Sequence, residues 1–344
     1  MKISNKKIGK NHKSFLIAEI GLNHNGSLLK AKKMINYAKD AGFDAVKFQT
    51  INPSLLMKKD TPLVKYQKKT KSKNMFDLIS KYNFSKRDFI NIKKYCDKKK
   101  IIFLSTPFDN ESASFLNELN VPAFKISSSD NDNYLLLKKI KKFKKPIILS
   151  TGMINHKDLK KTLNFLKLNK NMISILHCIS EYPTPVTRAQ LNSITLLKKL
   201  KYNVGFSDHT IGNSSAISAI TLGANIIEKH ITLNRNMKGP DHASSIECRE
   251  LKQFVKSIRD IEIMLKVKNR SLTKIENETK KLAKKSLYYL KDIKKDNIVK
   301  ATDIIALRPK LNGISPTKIT KILNKKITKD VFKNNLVKFN DFKR

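Results

Sequence analysis

Two hydrophobic periods alternate along the first 230 residues of the chain. Short apolar runs rich in β-branched residues have the length and composition of buried strands: Phe15–Glu19, Ala45–Gln49, Ile101–Ser105, Ala123–Ile126, Pro146–Ser150, Ile173–Cys178, Asn203–Ser207 and Ile226–His230. Between them, Leu28–Ala41 sets Leu28, Ala31, Ile35, Ala38 and Ala41 at helical spacing. Glu111–Leu119, Leu135–Phe143, Asp158–Leu166 and Ser214–Leu222 follow the same rule. This alternation predicts an α/β fold with a parallel sheet, and eight strands are the number that closes a (β/α)8 TIM barrel. An open doubly wound sheet shows the same alternation, so the period alone leaves both standing.

The placement of polar residues favours the barrel. Glu19, Lys47 with Gln49, Thr106, Lys125 with Ser128, Ser150, His177, Ser207 with His209, and Glu228 with His230 fall at or just past a strand end. A barrel gathers such residues from many strands at its C-terminal face. The strand period of two places Lys47 with Gln49, Ser207 with His209, and Glu228 with His230 on single faces, which are expected to look into the lumen.

After the eighth run, Glu247–Val267 carries a strong apolar stripe that suits a closing helix. The pattern then changes. Residues 1–268 read as the barrel, 269–280 as a polar linker, and 281–344 as a small β-rich domain with strand-like Ser286–Leu290 and Ile304–Leu307. With 344 residues, 40% of them hydrophobic, the chain can fill such a core. A polar N-terminus up to Lys13, and apolar runs well short of the roughly 18 residues that span a bilayer, lead us to expect a cytoplasmic protein with no membrane segment. Cys96, Cys178 and Cys248 are too far apart to encode a disulfide framework or a zinc cluster.

The net charge of +43 invites a nucleic-acid reading. Only eight of the 71 basic residues are arginine, however, and the lysines are spread along the chain without aromatic interleaving. Specific readers cluster arginine and stacking platforms, so solvated lysine-rich helix faces are the better account.

An inward lysine is costly without a counter-charge, so Lys47 and Lys125 call for an anion or a nearby carboxylate. With Ser128, Ser150 and Ser207 they make a site for a phosphate or carboxylate that needs no glycine-rich loop. His209 and His230, at the ends of consecutive strands, can share a divalent ion as neutral ligands. Glu228 is a candidate base or orienting group, and Glu19 and Asp241 are further carboxylates able to hold hydroxyls or move protons.

The chain resembles the sialic acid synthases from Phe15 to Pro316. The matching stretches are Ala18–Gly26, Val46–Thr50, Leu104–Asp109, Lys125–Ser128, Ile148–Met153, Leu176–Cys178 with Tyr182–Pro183, Gly205–Thr210, Glu228–His230 and Gly239–His242. Its C-terminal Ser286–Tyr288, Arg308–Pro309 and Gly313–Pro316 are similar to that family's antifreeze-like (SAF) domain. The resemblance implies that phosphoenolpyruvate is held by Lys47, Lys125, Ser128, Ser150 and Ser207, and that Mn²⁺ or Mg²⁺ binds His209 and His230. It further implies that Glu19, Gln49, Asp130, Tyr182 and Asp241 face an amino sugar. Arg308 would reach the sugar's N-acyl group in a homodimer whose small domains cap the partner's barrel. Ser180 and Asp130 stand where some N-acetylmannosamine users have Asn and Glu. N-acetylmannosamine, its 6-phosphate and a diacetamido-trideoxy hexose, as in pseudaminic or legionaminic acid synthesis, are therefore the candidate acceptors. A sugar-phosphate aldolase would need no appended domain, and an ice-binding face would be sparsely charged, unlike a tail carrying Lys294, Lys295, Lys300 and Lys310.

Overall fold

The computed structural model describes residues 1–266 and 269–343. The chain divides into two compact units, Met1–Lys266 and Val267–Arg344. The first begins with a hairpin, β1 (Lys2–Ile3) and β2 (Lys6–Lys7), followed by eight parallel strands. These are β3 (Phe15–Gly21), β4 (Ala45–Thr50), β5 (Ile102–Pro107), β6 (Phe124–Ile126), β7 (Ile147–Ser150), β8 (Ile173–Cys178), β9 (Asn203–Asp208) and β10 (Ile226–Thr232). They pair in the order β5-β4-β3-β10-β9-β8-β7-β6, and β5 lies beside β6. The ring is thus a barrel, and the open-sheet alternative falls. Strand ends differ from the sequence reading by one or two residues, as in β5, which runs on to Pro107.

Helices pack around the ring: α1 (Leu28–Ala41), α2 (Pro53–Leu56), α3 (Met75–Tyr82), α4 (Lys86–Lys99), α5 (Asn110–Glu118), α6 (Tyr134–Lys142), α7 (His156–Leu166), α8 (Ser193–Lys198), α9 (Ser214–Thr221) and α10 (Leu251–Met264). Local chemistry sets their ends. Ser27 accepts the Lys30 amide at the start of α1, and Gly42 takes the left-handed conformation that ends it (φ 93°). The connection from β4 to β5 holds three helices, α2 to α4, that the sequence reading did not resolve. The predicted closing helix starts later, at Leu251, after a short β11 (Ile246–Glu247) parallel to β10 and a 3-10 turn. Its expected last residue, Val267, and the domain limits at 268 and 344 lie outside the described residues.

Two apolar layers follow from strand alternation. Outward residues such as Leu16, Ala18, Val46, Phe48, Phe103, Phe124 and Phe206 meet the helices. Inward ones, Phe15, Ile17, Ala45, Leu104, Ala123, Ile148, Leu176 and Ile226, form a separate interior cluster with Ile3 and Ile8 of the N-terminal hairpin. The hairpin plugs the N-terminal end of the lumen, so the opposite end is the one open to chemistry.

The second unit corrects the linker reading: within 269–280 a helix begins, α11 (Lys274–Ala283), capped by Thr273 and Glu276. Beyond it, β12 (Ser286–Tyr289) pairs antiparallel with β13 (Ile304–Leu307) over a core that includes Leu287, Tyr289, Val299, Ile322, Ile327 and Val337.

Candidate active site

At the C-terminal mouth the inward positions become charged. Lys47 on β4 forms an ion pair with Glu19 of β3 at 2.7 Å, lies 3.7 Å from Glu228 of β10, and donates to the Thr106 hydroxyl at 3.0 Å. Lys125, across the ring on β6, lies 3.6 Å from Glu228 and donates to Ser150 Oγ at 2.6 Å. Ser207 donates to Glu228 at 2.8 Å, and Gln49 reaches Glu19 at 3.4 Å. Side chains from opposite strands converge on Glu228, which places all of them in the lumen. The lysines' need for an anion is thus met in part by the protein itself.

The two carboxylates are driven apart. Burial raises Glu19 to about 7 against the pull of Lys47. At Glu228 burial also acts upward, but Lys125, Lys47 and Ser207 outweigh it and bring the group to about 2. Glu228 is therefore a fixed anion rather than a base, whereas Glu19 can exchange a proton near neutrality. The lysines diverge likewise: burial opposes both charges, Glu19 and Glu228 raise Lys47 overall, and Lys125 stays lowered.

Ser128 sits in a 3-10 turn just past β6, accepts the Gly152 amide at 3.1 Å and contacts Cys178 Sγ at 3.5 Å. Gly152 is required here, since a Cβ would stand 2.3 Å from Ser180 Oγ and 2.6 Å from Ser128 Oγ. The Ser180 hydroxyl is buried without a hydrogen-bond partner.

His209 and His230 lie with ring centroids 5.6 Å apart. The Ile179 carbonyl, 2.7 Å from His209 Nδ1, accepts its proton and leaves Nε2 as the free donor atom toward an ion. At His209 burial acts downward, but Cys178, 4.0 Å away, and that carbonyl raise the ring overall; burial raises Cys178 less than His209, Ser128 and Lys125 lower it, to about 7. His230 is held far below the usual imidazole range by burial and the neighbouring His209 and Lys47, and its Nδ1 is buried with no partner. An orphaned neutral nitrogen beside an oriented second imidazole fits a divalent cation. Among the described residues no third His, Cys, Asp or Glu completes a ligand group, so an ion here would keep positions for water or substrate.

Tyr182 lies over both imidazoles, with centroids 4.0 Å from His209 and 5.9 Å from His230. Tyr66, from the 3-10 turn Lys65–Thr70 in the long β4–β5 connection, packs on Tyr182 at 5.0 Å. Burial and Asp241 raise the Tyr66 hydroxyl, and burial raises Asp241 to about 6 despite His209 and Lys47. Tyr66 escapes a search of strand ends because it belongs to no strand.

Two expected residues turn away from the site. Asp130 turns its carboxylate into its own loop, accepting from Ser127 at 2.7 Å, Ser129 at 3.0 Å and Asn133 at 3.0 Å. His177 faces out of the barrel, packed on Phe206 and bonded through Nε2 to the Ala189 carbonyl at 2.8 Å. Arg308 belongs to the second unit, exposed just past β13.

Residues 34–270 match the model of the NeuB family. The N,N'-diacetyllegionaminic acid synthase of Campylobacter jejuni is 39% identical over 95% of this chain and 99% of its own length. The pseudaminic acid synthase of Helicobacter pylori is 32% identical over 96% and 98%. Among solved structures, the N-acetylneuraminic acid synthetase of Leptospira borgpetersenii superposes with a TM-score of 0.73 at 33% identity, covering 81% of this chain and 94% of that one.

Proposed function

The chain belongs to the NeuB family, and we propose from that premise that it condenses phosphoenolpyruvate with an amino-sugar aldehyde, giving a nonulosonic acid and phosphate. One observation carries the reading: two buried lysines from β4 and β6 of the barrel mouth converge on a fixed anion, Glu228, near the paired imidazoles of His209 and His230. In the reaction C3 of phosphoenolpyruvate bonds to the aldehyde carbon, water adds at C2, and the C2–O bond to phosphate breaks. Lys47, Lys125, Ser128, Ser150 and Ser207 bind the anionic substrate. Gln49, Tyr182 and Asp241 orient the sugar, and Asp130 joins them if its loop bonds exchange for sugar hydroxyls. Glu19, half-protonated near neutrality, takes up the proton that the attacking water releases. His209 and His230 would hold Mn²⁺ or Mg²⁺, which when bound supplies Lewis-acid polarisation of the aldehyde.

N-acetylmannosamine and its relatives are the proposed acceptors. A second reading, a diacetamido-trideoxy hexose, is favoured by the identity of 39% to a legionaminic acid synthase and by Ser180. The proposal extends to a homodimer in which Arg308 of one chain serves the partner's barrel, and to the cytoplasm, supported by three free buried cysteines. Incubation with phosphoenolpyruvate, Mn²⁺ and a panel of these sugars tests the reading. Phosphate release with one acceptor class names the substrate, and no release with any of them ends the proposal.

A further inference from the structure

Lys229 stands between the two inward residues Glu228 and His230, so strand alternation sends its side chain out of the lumen, toward the helices. It is nonetheless 1% exposed, and its partner Asp208 is 0% exposed. The two are register partners on the paired strands β10 and β9. Lys229 Nζ donates to Asp208 Oδ2 at 2.7 Å and to the Thr210 carbonyl at 2.5 Å. Asp208 also accepts the Thr210 amide at 2.9 Å, the Thr210 hydroxyl at 2.8 Å and the hydroxyl of Ser215, on α9, at 2.8 Å.

Both ends of this network flank a histidine. Asp208 and Thr210 bracket His209, and Lys229 precedes His230. A buried ion pair is often no more stabilising than apolar residues of the same volume, so strand cohesion alone does not account for it. It does tie the backbone that carries one imidazole to the strand that carries the other. We propose that Lys229 is a positioning residue: through Asp208 and the Thr210 carbonyl it locks the ends of β9 and β10 in one arrangement, so that His209 and His230 keep the spacing at which they can share one ion.

This rests on the reading of the two histidines as ion ligands, and the test separates the two. Free Mn²⁺ is titrated by electron paramagnetic resonance, phosphoenolpyruvate affinity is measured by calorimetry without metal, and the histidine ring signals are followed by NMR. In Lys229→Met, Mn²⁺ affinity should fall about 10-fold or more, the scale of losses when a group that orients a ligand is removed. Phosphoenolpyruvate affinity should stay within about twofold, because Lys229 faces away from the lumen. The His209 and His230 ring signals should shift while those of the exposed His12 and His156 do not.

A folded Lys229→Met with unchanged Mn²⁺ affinity and unchanged ring signals overturns the proposal. If the wild type binds no Mn²⁺, the ion reading fails, and the ring signals alone decide whether Lys229 positions the histidines. If Lys229→Met does not fold because Asp208 is left charged and unpaired, Asp208→Asn/Lys229→Met removes both charges. That double variant should fold and still bind Mn²⁺ weakly with shifted rings, whereas wild-type affinity and signals in it would reduce the pair to a structural one.

Discussion

The two ends of the barrel lumen are built from the same eight strands and differ completely in chemistry. Toward the base the inward side chains are Ile17, Ala45, Leu104, Ala123, Ile148, Leu176 and Ile226, with Gly205 on β9. Two residues further along each strand they become Glu19, Lys47, Thr106, Lys125, Ser150, Cys178, Ser207 and Glu228, all buried. The base layer gains free energy by leaving water. The mouth layer costs several kcal/mol per unpaired ion, and it persists only because Lys47 and Lys125 are paired with Glu19 and Glu228. Even so, His230 Nδ1 and Ser180 Oγ are buried without partners, as expected where a ligand completes the bonding. One end of the lumen is thus finished as a core, and the other is finished only when occupied.

The sharpest test of that contrast removes a ligand atom from the mouth. His230→Ala should lower kcat about 10³-fold, the several kcal/mol that a Lewis acid contributes to charge developing at an oxygen. Thermal stability should fall only by the lost packing of the ring against Tyr182 and His209, since Nδ1 has no hydrogen-bond partner to lose. Chelation of the wild type should cause the same loss, with Mn²⁺ restoring it. Full turnover in a verified metal-free preparation would remove the ion from the proposal.

The mirror experiment cuts into the base. Leu176 is fully buried two residues before Cys178 on the same strand. Leu176→Ala should cost about 3 kcal/mol in urea unfolding, through lost transfer energy plus the cavity left behind. The kcat of the molecules that remain folded should stay within about threefold of wild type. A loss of turnover as deep as that of His230→Ala would show that the two layers are mechanically one.

The sequence makes this layering legible because strand period two writes it directly: Ile17 then Glu19, Ala45 then Lys47, Ile226 then Glu228. Residues whose position follows from a strand end, including His209 just past β9, were accessible to the same reasoning, whereas Tyr182, in the loop after β8, came only from the family resemblance. His177 misled it, since one step of alternation turns a strand-end histidine from the lumen to the helix layer. Tyr66 was out of reach, because its place over Tyr182 depends on the path of a long connection rather than on a period. Helix α11 was readable from the capping pair Thr273 and Glu276, but its polar composition, with Ile275 and Leu282 exposed, masked it as linker. Asp130 shows a different limit: sequence supplies the carboxylate but not its three competing partners within the loop.

The smallest expected effect concerns pH, and it follows from the mouth alone, since the side chains of the base layer are apolar. His24, on the loop after β3, stacks on Phe84 with centroids 3.7 Å apart and accepts the Gly26 amide at Nδ1. Burial lowers it from 6.5 to about 3, and burial lowers His242 to about 4. Between those values and 6.5 the unfolded chain binds protons at these positions that the native state refuses, so stability is whole above about 6.5 and is lost as pH falls. Glu19 and Asp241 act in the opposite sense. Their folded values of about 7 and about 6 exceed the unfolded ones, so the native state binds the extra protons, and stability is gained as pH falls through those values. The two pairs therefore oppose each other from about pH 7 to pH 5, with His230, also held neutral by burial, on the side of His24 and His242. His24→Gln removes one acid-labile group and leaves the carboxylates in place. Its unfolding free energy should therefore rise relative to wild type as pH is lowered across that range, by up to about 1.4 kcal/mol per pH unit, with the urea midpoint rising in step. Parallel curves for the two proteins would mean that His24 titrates alike folded and unfolded, and that its stacking on Phe84 does not keep it neutral.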